Sequence, residues 1–321
     1  MVNTHVVSAE SLYVEGKAEC VMELNSRRIL YESNGEQRLP MASTTKILTA
    51  ITVLELCKDI NQEIIIPKEA EGVEGSSVYL KAGDPYSVEE LLYGLMLRSG
   101  NDCAVALALH CCKSIERFSV EMNKIAQKAG AINSNFKNPH GLPCADHYTT
   151  ARDLSLITCY AMQNPKFAQI VQTQYFTPKS WKNKNKLLYN YEGAIGVKTG
   201  YTKEAGRCLV SAVRRNGMTL ICTLLNCPTT YERTKALFDD AFRAYSYVPI
   251  LKEGDRFNVS GIQGVSKQSF YYPLLEEEKE YLEIKTSASP KGYGKKNKEI
   301  LGEFQIYLAK RLLFSGNLYK L

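Results

Sequence analysis

Three short groups of residues in this chain have types and spacings that can do chemistry. In order they are Ser43-Thr44-Thr45-Lys46, Ser99-Gly100-Asn101 and Lys198-Thr199-Gly200. A serine hydroxyl is a weak nucleophile until an adjacent base takes its proton. Lysine can be that base if burial and a neighbouring cation depress its pKa. Ser43 and Lys46 stand three apart in the first turn of a helical stretch, so they share one face within hydrogen-bond reach. The helix start adds positive potential and free backbone N–H groups. Lys198 supplies the neighbouring cation. Ser99 and Asn101 fall in a break between two helices, where side chains can point into a cleft. Lys198-Thr199-Gly200 ends a short strand, and its glycine lets a substrate backbone approach closely.

No one of these groups decides the matter alone. At average composition a Ser-x-x-Lys arises roughly once in a chain of this length. Ser134-Asn135-Phe136-Lys137 is a second match, to which no role is assigned, and Ser315-Gly316-Asn317 repeats the second group. Lys-Thr-Gly is rarer. Their order and their setting single out Ser43 as a nucleophile with Lys46 as its base.

The elements that must hold these residues can be read from the pattern. Ala18 to Leu24 alternates as a strand, Asn25-Ser26 turns, and Arg28 to Glu32 returns. Pro40 precedes a helix from about Ala42 to Lys58, apolar nearly all round and therefore buried. Ser87-Val88-Glu89-Glu90 is a capping box opening a helix to about Leu97. Helices follow over about 102–112, 115–129 and 150–163. Strands return at 193–199, 207–213 and 218–225, the last two joined by an Asn216-Gly217 hairpin turn. A closing helix spans about 230–247. Strands on either side of a helical middle argue an α/β domain of the α+β type with an antiparallel sheet. The expected organisation is a domain over 1–250, with a helical lobe at about 58–165, and a small β-rich domain over 251–321. The acidic run Glu276–Glu280 and the basic loop Lys291–Lys298 are expected to be solvated faces.

Composition excludes several classes. The 321 residues carry a net charge of +6 with 23% charged residues, which is neither a disordered chain nor a nucleic-acid footprint. The longest apolar-rich run, Ile47 to Cys57, is too short to cross a membrane. Residues 1–8 show no basic and apolar leader, as expected of a cytosolic protein or of a mature form with a replacement Met. The ten cysteines include no Cys-x-x-Cys and are read as small buried hydrophobes. His140, Cys144, Asp146 and His147 lie close enough in sequence to raise the possibility of zinc, but the preferred reading is a polar loop, with no metal and no cofactor. In the hairpin, Cys222 should face Ser211, and Cys208 and Cys222 should lie on opposite faces, unable to bridge. Free thiols are expected throughout.

With these motifs in place, the chain resembles the low-molecular-mass penicillin-binding proteins, serine-type D-alanyl-D-alanine carboxypeptidases of peptidase family S11. Further stretches agree: Arg38 to Lys46 leading into the nucleophile, Asn138-Pro139-His140-Gly141-Leu142, His147 to Asp153, and Lys198 to Thr202 with Ala205-Gly206. The resemblance covers about residues 8–247. It implies a five-stranded antiparallel sheet, an all-helical lobe, and a site between them that acts on peptidoglycan stem peptides ending in D-Ala-D-Ala and is acylated by β-lactams. It implies that Ser43 attacks, that neutral Lys46 takes the proton, and that the N–H groups of Ser43 and Tyr201 form the oxyanion hole. It further implies that Ser99 relays a proton, that Asn101 orders Lys46 and the substrate amide, and that Lys198 adds positive potential. Thr199 and Arg233 would hold the terminal carboxylate, with Gly200 leaving room for the substrate. The expected setting is outside the cytoplasm, in cell-wall synthesis, with a leader and a membrane anchor not visible in this chain and no nucleic-acid partner.

Two other readings are weighed. A class A β-lactamase would carry Glu-x-x-Leu-Asn between Asp153 and Lys198, which is missing, and a class C enzyme would have tyrosine where Ser99 stands. A non-catalytic peptidoglycan-binding module would have a damaged motif, and all three are intact.

Overall fold

The computed structural model describes residues 15–288 and 299–321. In chain order, β1 (Ala18–Glu23) and β2 (Ile29–Ser33) lead into α1 (Lys46–Leu56). A short pair, β3 (Glu63–Ile65) and β4 (Pro85–Ser87), precedes α2 (Val88–Tyr93), α3 (Asn101–Cys112), α4 (Ile115–Ala129), α5 (Ala151–Met162) and α6 (Pro165–Gln172). Next come β5 (Tyr175–Phe176), β6 (Trp181–Lys182), the one-turn α7 (Leu187–Asn190), β7 (Ala194–Thr202), β8 (Gly206–Arg215), β9 (Met218–Leu225) and α8 (Thr230–Ala244). The remaining strands are β10 (Ser246–Leu251), β11 (Arg256–Val259), β12 (Ile262–Ser266), β13 (Phe270–Leu274), β14 (Leu282–Ala288), β15 (Ile300–Leu308) and β16 (Arg311–Lys320). They form two compact units that divide between Ala241 and Phe242. That is earlier than the expected boundary at 250, because β10 pairs with β13 and so belongs to the smaller unit.

In the larger unit, a five-stranded antiparallel sheet has the order β2-β1-β9-β8-β7. Its register is pinned by the Asn216-Gly217 turn, where both residues have positive φ (49° and 80°), as a two-residue hairpin loop requires. Ser211 faces Cys222, the predicted pairing. Helices cover both faces of the sheet. On one face, Ser155 of α5 bonds Thr223 of β9 at 2.8 Å. On the other, Arg233 of α8 reaches Glu19 of β1 at 2.6 Å. Every residue of β1 is consequently buried, polar ones included.

The nucleophile segment departs from the expected single helix. Ala42–Thr45 is a turn of 3₁₀-helix, and α1 begins at Lys46. Residues 46–53 of α1 are all buried, as the all-round apolar pattern predicts. The capping box forms, with Ser87 Oγ accepting from Glu90 N at 3.1 Å and Glu90 Oε2 accepting from Ser87 N at 2.9 Å. The expected helix to Leu97 is α2 followed by a π-turn over Gly94–Arg98, which ends on Ser99 in a left-handed conformation (φ 65°). Gly94 permits this turn to pack, since a Cβ there would lie 2.7 Å from Cys103 Sγ.

The smaller unit is β-rich. A sheet of order β11-β12-β16-β15-β14 packs a core of Leu251, Val259, Phe304, Ile306 and Leu318. The acidic run Glu276–Tyr281 is a 3₁₀ turn with no buried residue. The basic loop 291–298 and residues 1–8 lie outside the described residues.

Candidate active site

The three motif groups, far apart in sequence, converge in the larger unit. Lys46 is fully buried at the head of α1, and its Nζ lies 3.0 Å from Ser43 Oγ. The same nitrogen is 2.6 Å from Asn101 Oδ1 and 2.6 Å from the His140 carbonyl oxygen. Burial first, and Lys198 second, hold the Lys46 pKa well below the ordinary ammonium value. A neutral amine has two N–H donors and one lone pair. Asn101 Oδ1 and His140 O only accept, so they consume both donors. The lone pair is left for the Ser43 hydroxyl, which is the arrangement a general base needs.

Each partner of Lys46 is itself fixed. Asn101 Nδ2 donates to Glu74 O at 2.6 Å. Its neighbour Asp102, also buried, accepts from Ser77 Oγ at 2.6 Å and from the backbone N–H groups of Val78 and Leu80 at 3.0 and 3.1 Å. The 74–80 segment is thereby tied to the start of α3. The His140 carbonyl is presented by a turn in which Asn138 Oδ1 accepts from Gly141 N at 2.7 Å and Thr49 Oγ1 donates to Pro139 O at 2.6 Å.

The residue before the nucleophile, Ala42, has φ 50°, an uncommon conformation for a residue with a Cβ. A buried relay supports it. The Lys137 N–H donates to His147 Nδ1 at 3.0 Å, so the ring proton sits on Nε2, which is 3.0 Å from Thr45 Oγ1. The Thr45 hydroxyl then donates to the Ala42 carbonyl at 2.9 Å. Burial holds His147 neutral, with a pKa down at about 4. Both of its ring nitrogens are thus spent on partners within the protein, one toward the nucleophile turn and one toward the Lys137 backbone. Among the described residues, no group of three or more His, Cys, Asp or Glu is placed to hold a metal ion.

On β7, Lys198 is buried, and its Nζ donates to Thr199 O at 2.9 Å. Burial, then the charge of Lys184, lowers its pKa to about 7. Thr199 is half-buried opposite Leu209 of β8. Gly200 lies against the nucleophile turn: a Cβ there would fall 3.1 Å from Met41 O and 3.2 Å from Ser43 N. Tyr201 follows it, 65% exposed. Ser99 is buried at the end of the π-turn beside Asn101.

The sequence of residues 4–229 matches a family model described as D-alanyl-D-alanine carboxypeptidase. The chain belongs to this family. A D-alanyl-D-alanine carboxypeptidase of Bacillus subtilis is 33% identical over 74% of this chain, and the match spans 65% of that relative's own length. Penicillin binding protein 5 from Haemophilus influenzae superposes over 95% of this chain and 96% of its own with a TM-score of 0.80 at 25% identity. The Streptomyces K15 DD-transpeptidase covers 72% of this chain and 98% of its own, with a TM-score of 0.67 at 33% identity.

One expected site residue of this D-alanyl-D-alanine carboxypeptidase family member is not in the site. Arg233 is 3% exposed, and its guanidinium grips the Glu19 carboxylate through Nε at 3.1 Å and Nη2 at 2.6 Å, with Tyr31 Oη 2.9 Å away. It is on the α8 side of the sheet, where its Nε and Nη2 are committed to the buried Glu19 carboxylate. The expectation that it binds substrate is therefore corrected. Sequence reasoning also missed Asp102, Glu74, Thr45 and the carbonyl of His140. A backbone carbonyl leaves no signature of residue type, so the sequence does not mark the His140 oxygen as a partner of Lys46.

Proposed function

We propose that this protein is a serine D-alanyl-D-alanine carboxypeptidase that removes the terminal D-Ala from peptidoglycan stem peptides and is acylated by β-lactams at Ser43. The observation that carries this reading is the buried Lys46 amine, 3.0 Å from Ser43 Oγ, with both of its N–H donors spent on carbonyl oxygens.

Lys46 takes the Ser43 proton as Oγ attacks the carbonyl of the penultimate D-Ala. The backbone N–H groups of Ser43 and Tyr201 receive the oxyanion, each such donor being worth about 3–4 kcal/mol. Ser99 passes a proton to the nitrogen of the departing D-Ala. The C–N bond breaks and an acyl-enzyme ester remains. Water then attacks the ester, its proton going back through the same groups, and Ser43 is released. Asn101 holds Lys46 and the substrate amide. Lys198 and Thr199 hold the terminal carboxylate, with Gly200 leaving space for the peptide. The cations Lys198 and Lys184 make the cleft suited to a substrate ending in a carboxylate.

Such a substrate places the protein outside the cytoplasm, at the cell wall. Among the described residues, no helix is long and apolar enough to cross a membrane.

The test is intact-mass measurement after incubation with a penicillin, together with D-Ala release from a stem-peptide analogue. The wild type should gain the mass of one antibiotic and release D-Ala. Ser43→Ala should do neither. Acylation of Ser43→Ala would overturn the assignment of the nucleophile, and antibiotic turnover without D-Ala release would favour a β-lactamase.

A further inference from the structure

Cys57 and Cys111 lie 54 positions apart in sequence, and their Sγ atoms are 3.5 Å apart. Cys57 follows the last turn of α1, its N–H bonded to Val53 O at 2.8 Å. Cys111 stands in the last turn of α3. Both are partly exposed, so a small reagent can reach them. The two helices begin at the site, α1 with Lys46 and α3 with Asn101, and the sulfurs meet at their opposite ends.

We propose that Cys57 and Cys111 form a site of reversible disulfide cross-linking, which staples the far ends of the two helices that carry Lys46 and Asn101. A disulfide needs sulfurs at about 2.05 Å and Cβ atoms about 3.5–4.5 Å apart. Thiols already in contact at 3.5 Å reach the bonded distance by closing about 1.5 Å. Among the described residues, no other pair of sulfurs is in such contact. Cys112 is next to Cys111 on the same helix, where successive side chains diverge. Cys208 and Cys222 are buried and sit on opposite faces of the sheet.

The chemistry balances with a low-molecular-mass disulfide as oxidant. The Cys57 thiolate attacks one sulfur of the reagent, and the first small thiolate leaves. Cys111 then attacks the Cys57 sulfur of the mixed disulfide, and the second small thiolate leaves, taking up the Cys111 proton. Two protein thiols are oxidised and one reagent disulfide is reduced to two thiols. The contact leaves the roles interchangeable: either thiol can be the donor, and the same balance holds with Cys111 attacking first and Cys57 resolving.

The cross-link closes a long loop, so its effect is on the unfolded chain more than on the site. It should raise Tm by roughly 8–15 °C for a unit of this size. The experiment uses the full chain carrying Cys144→Ser, which removes the exposed thiol, treated with oxidised or reduced glutathione. On oxidation the thiol count after denaturation should fall by two, a Cys57–Cys111 linked peptide should appear under non-reducing digestion, and Tm should rise. Penicillin acylation should be unchanged. Cys57→Ser and Cys111→Ser should each abolish the linked peptide and the rise in Tm, and Cys112→Ser should keep both. An unchanged thiol count, a linked peptide through Cys112, or a bridged protein that melts no higher would each overturn the proposal.

Discussion

The Nζ of Lys46 lies 2.6 Å from Oδ1 of Asn101, and the Asn101 amide is oriented by its own bond to Glu74 O. Asn101 therefore accepts from the amine without bringing a charge to it. An aspartate there would bring a charge. Asn101→Asp should raise the Lys46 pKa, because a carboxylate beside an ammonium favours the protonated form. The base would then be protonated at neutral pH. Acylation by a penicillin should fall at pH 7 and recover as pH rises, shifting the alkaline-going limb upward. An acylation profile over pH 6–10 identical to the wild type would remove Asn101 from control of the base.

Lys46→Ala tests the base itself. Loss of a general base costs about 10²–10⁴ in rate. The fold should persist, since α1 is held by its apolar faces and the variant removes a group that is costly to bury. Folding is checked by circular dichroism and acylation by intact mass. Wild-type acylation in a folded Lys46→Ala protein at neutral pH would eliminate Lys46 as base.

Lys198 gives a prediction about pH and stability. Its pKa is about 7 in the folded protein, lowered first by burial and then by Lys184. In the unfolded chain a lysine keeps its proton to about pH 10.4. Between these values the unfolded state binds more protons than the folded one, so stability rises with pH through this window. Lys198→Met should be more stable than the wild type at pH 7, and the gap should narrow by pH 9. Urea denaturation at the two pH values reads this directly. The same titration acts on function in the opposite sense, because the positive potential for a substrate carboxylate is lost as Lys198 deprotonates. The free enzyme should show a falling limb in kcat/KM near pH 7, and Lys198→Met should lack that limb.

Gly141 packs on the nucleophile turn. It has φ 89°, and a Cβ there would fall 1.9 Å from Ala42 O. Neither the conformation nor the space admits a side chain. Gly141→Ala should cost roughly 2–4 kcal/mol of stability. It should also slow acylation, because the adjacent His140 carbonyl would no longer meet Lys46. Thermal melts and acylation rates check both parts, and a variant with wild-type values in each would show that this turn does not set the site.

Much of this architecture is legible in residue patterns. The Asn216-Gly217 turn fixes the β8–β9 register, and the Ser87–Glu90 box fixes the start of α2, because both are local hydrogen-bond devices. The motif residues Ser43, Lys46, Asn101 and Lys198 converge because their side chains are the chemistry. What was not legible depends on packing from elsewhere. The alternation of β1 does not show that Glu19 and Glu23 are both fully buried, with Glu19 under α8. The buried Glu19 carboxylate requires a partner, and Arg233, expected in the substrate site, is that partner, whereas Glu23 accepts from Ser26 Oγ and the N–H groups of Asn25 and Ser26. Supports such as Asp102 and the His140 carbonyl are set by tertiary contacts across tens of residues, and no periodicity encodes them.

That misreading yields the last prediction. If Arg233 is structural, its loss should appear in stability and not in substrate affinity. Arg233→Ala leaves the Glu19 carboxylate buried and uncompensated, a defect worth about 3–5 kcal/mol. Replacing both partners in Glu19→Gln with Arg233→Met removes the uncompensated charge, and should recover much of the loss. KM for a stem-peptide analogue should stay at the wild-type value in the double variant, because Lys198 and Thr199 are untouched. The decisive pair of measurements is urea unfolding and peptide kinetics on the same preparations. A double variant that is stable but has lost its preference for a free terminal carboxylate over a C-terminal amide would return Arg233 to the substrate site.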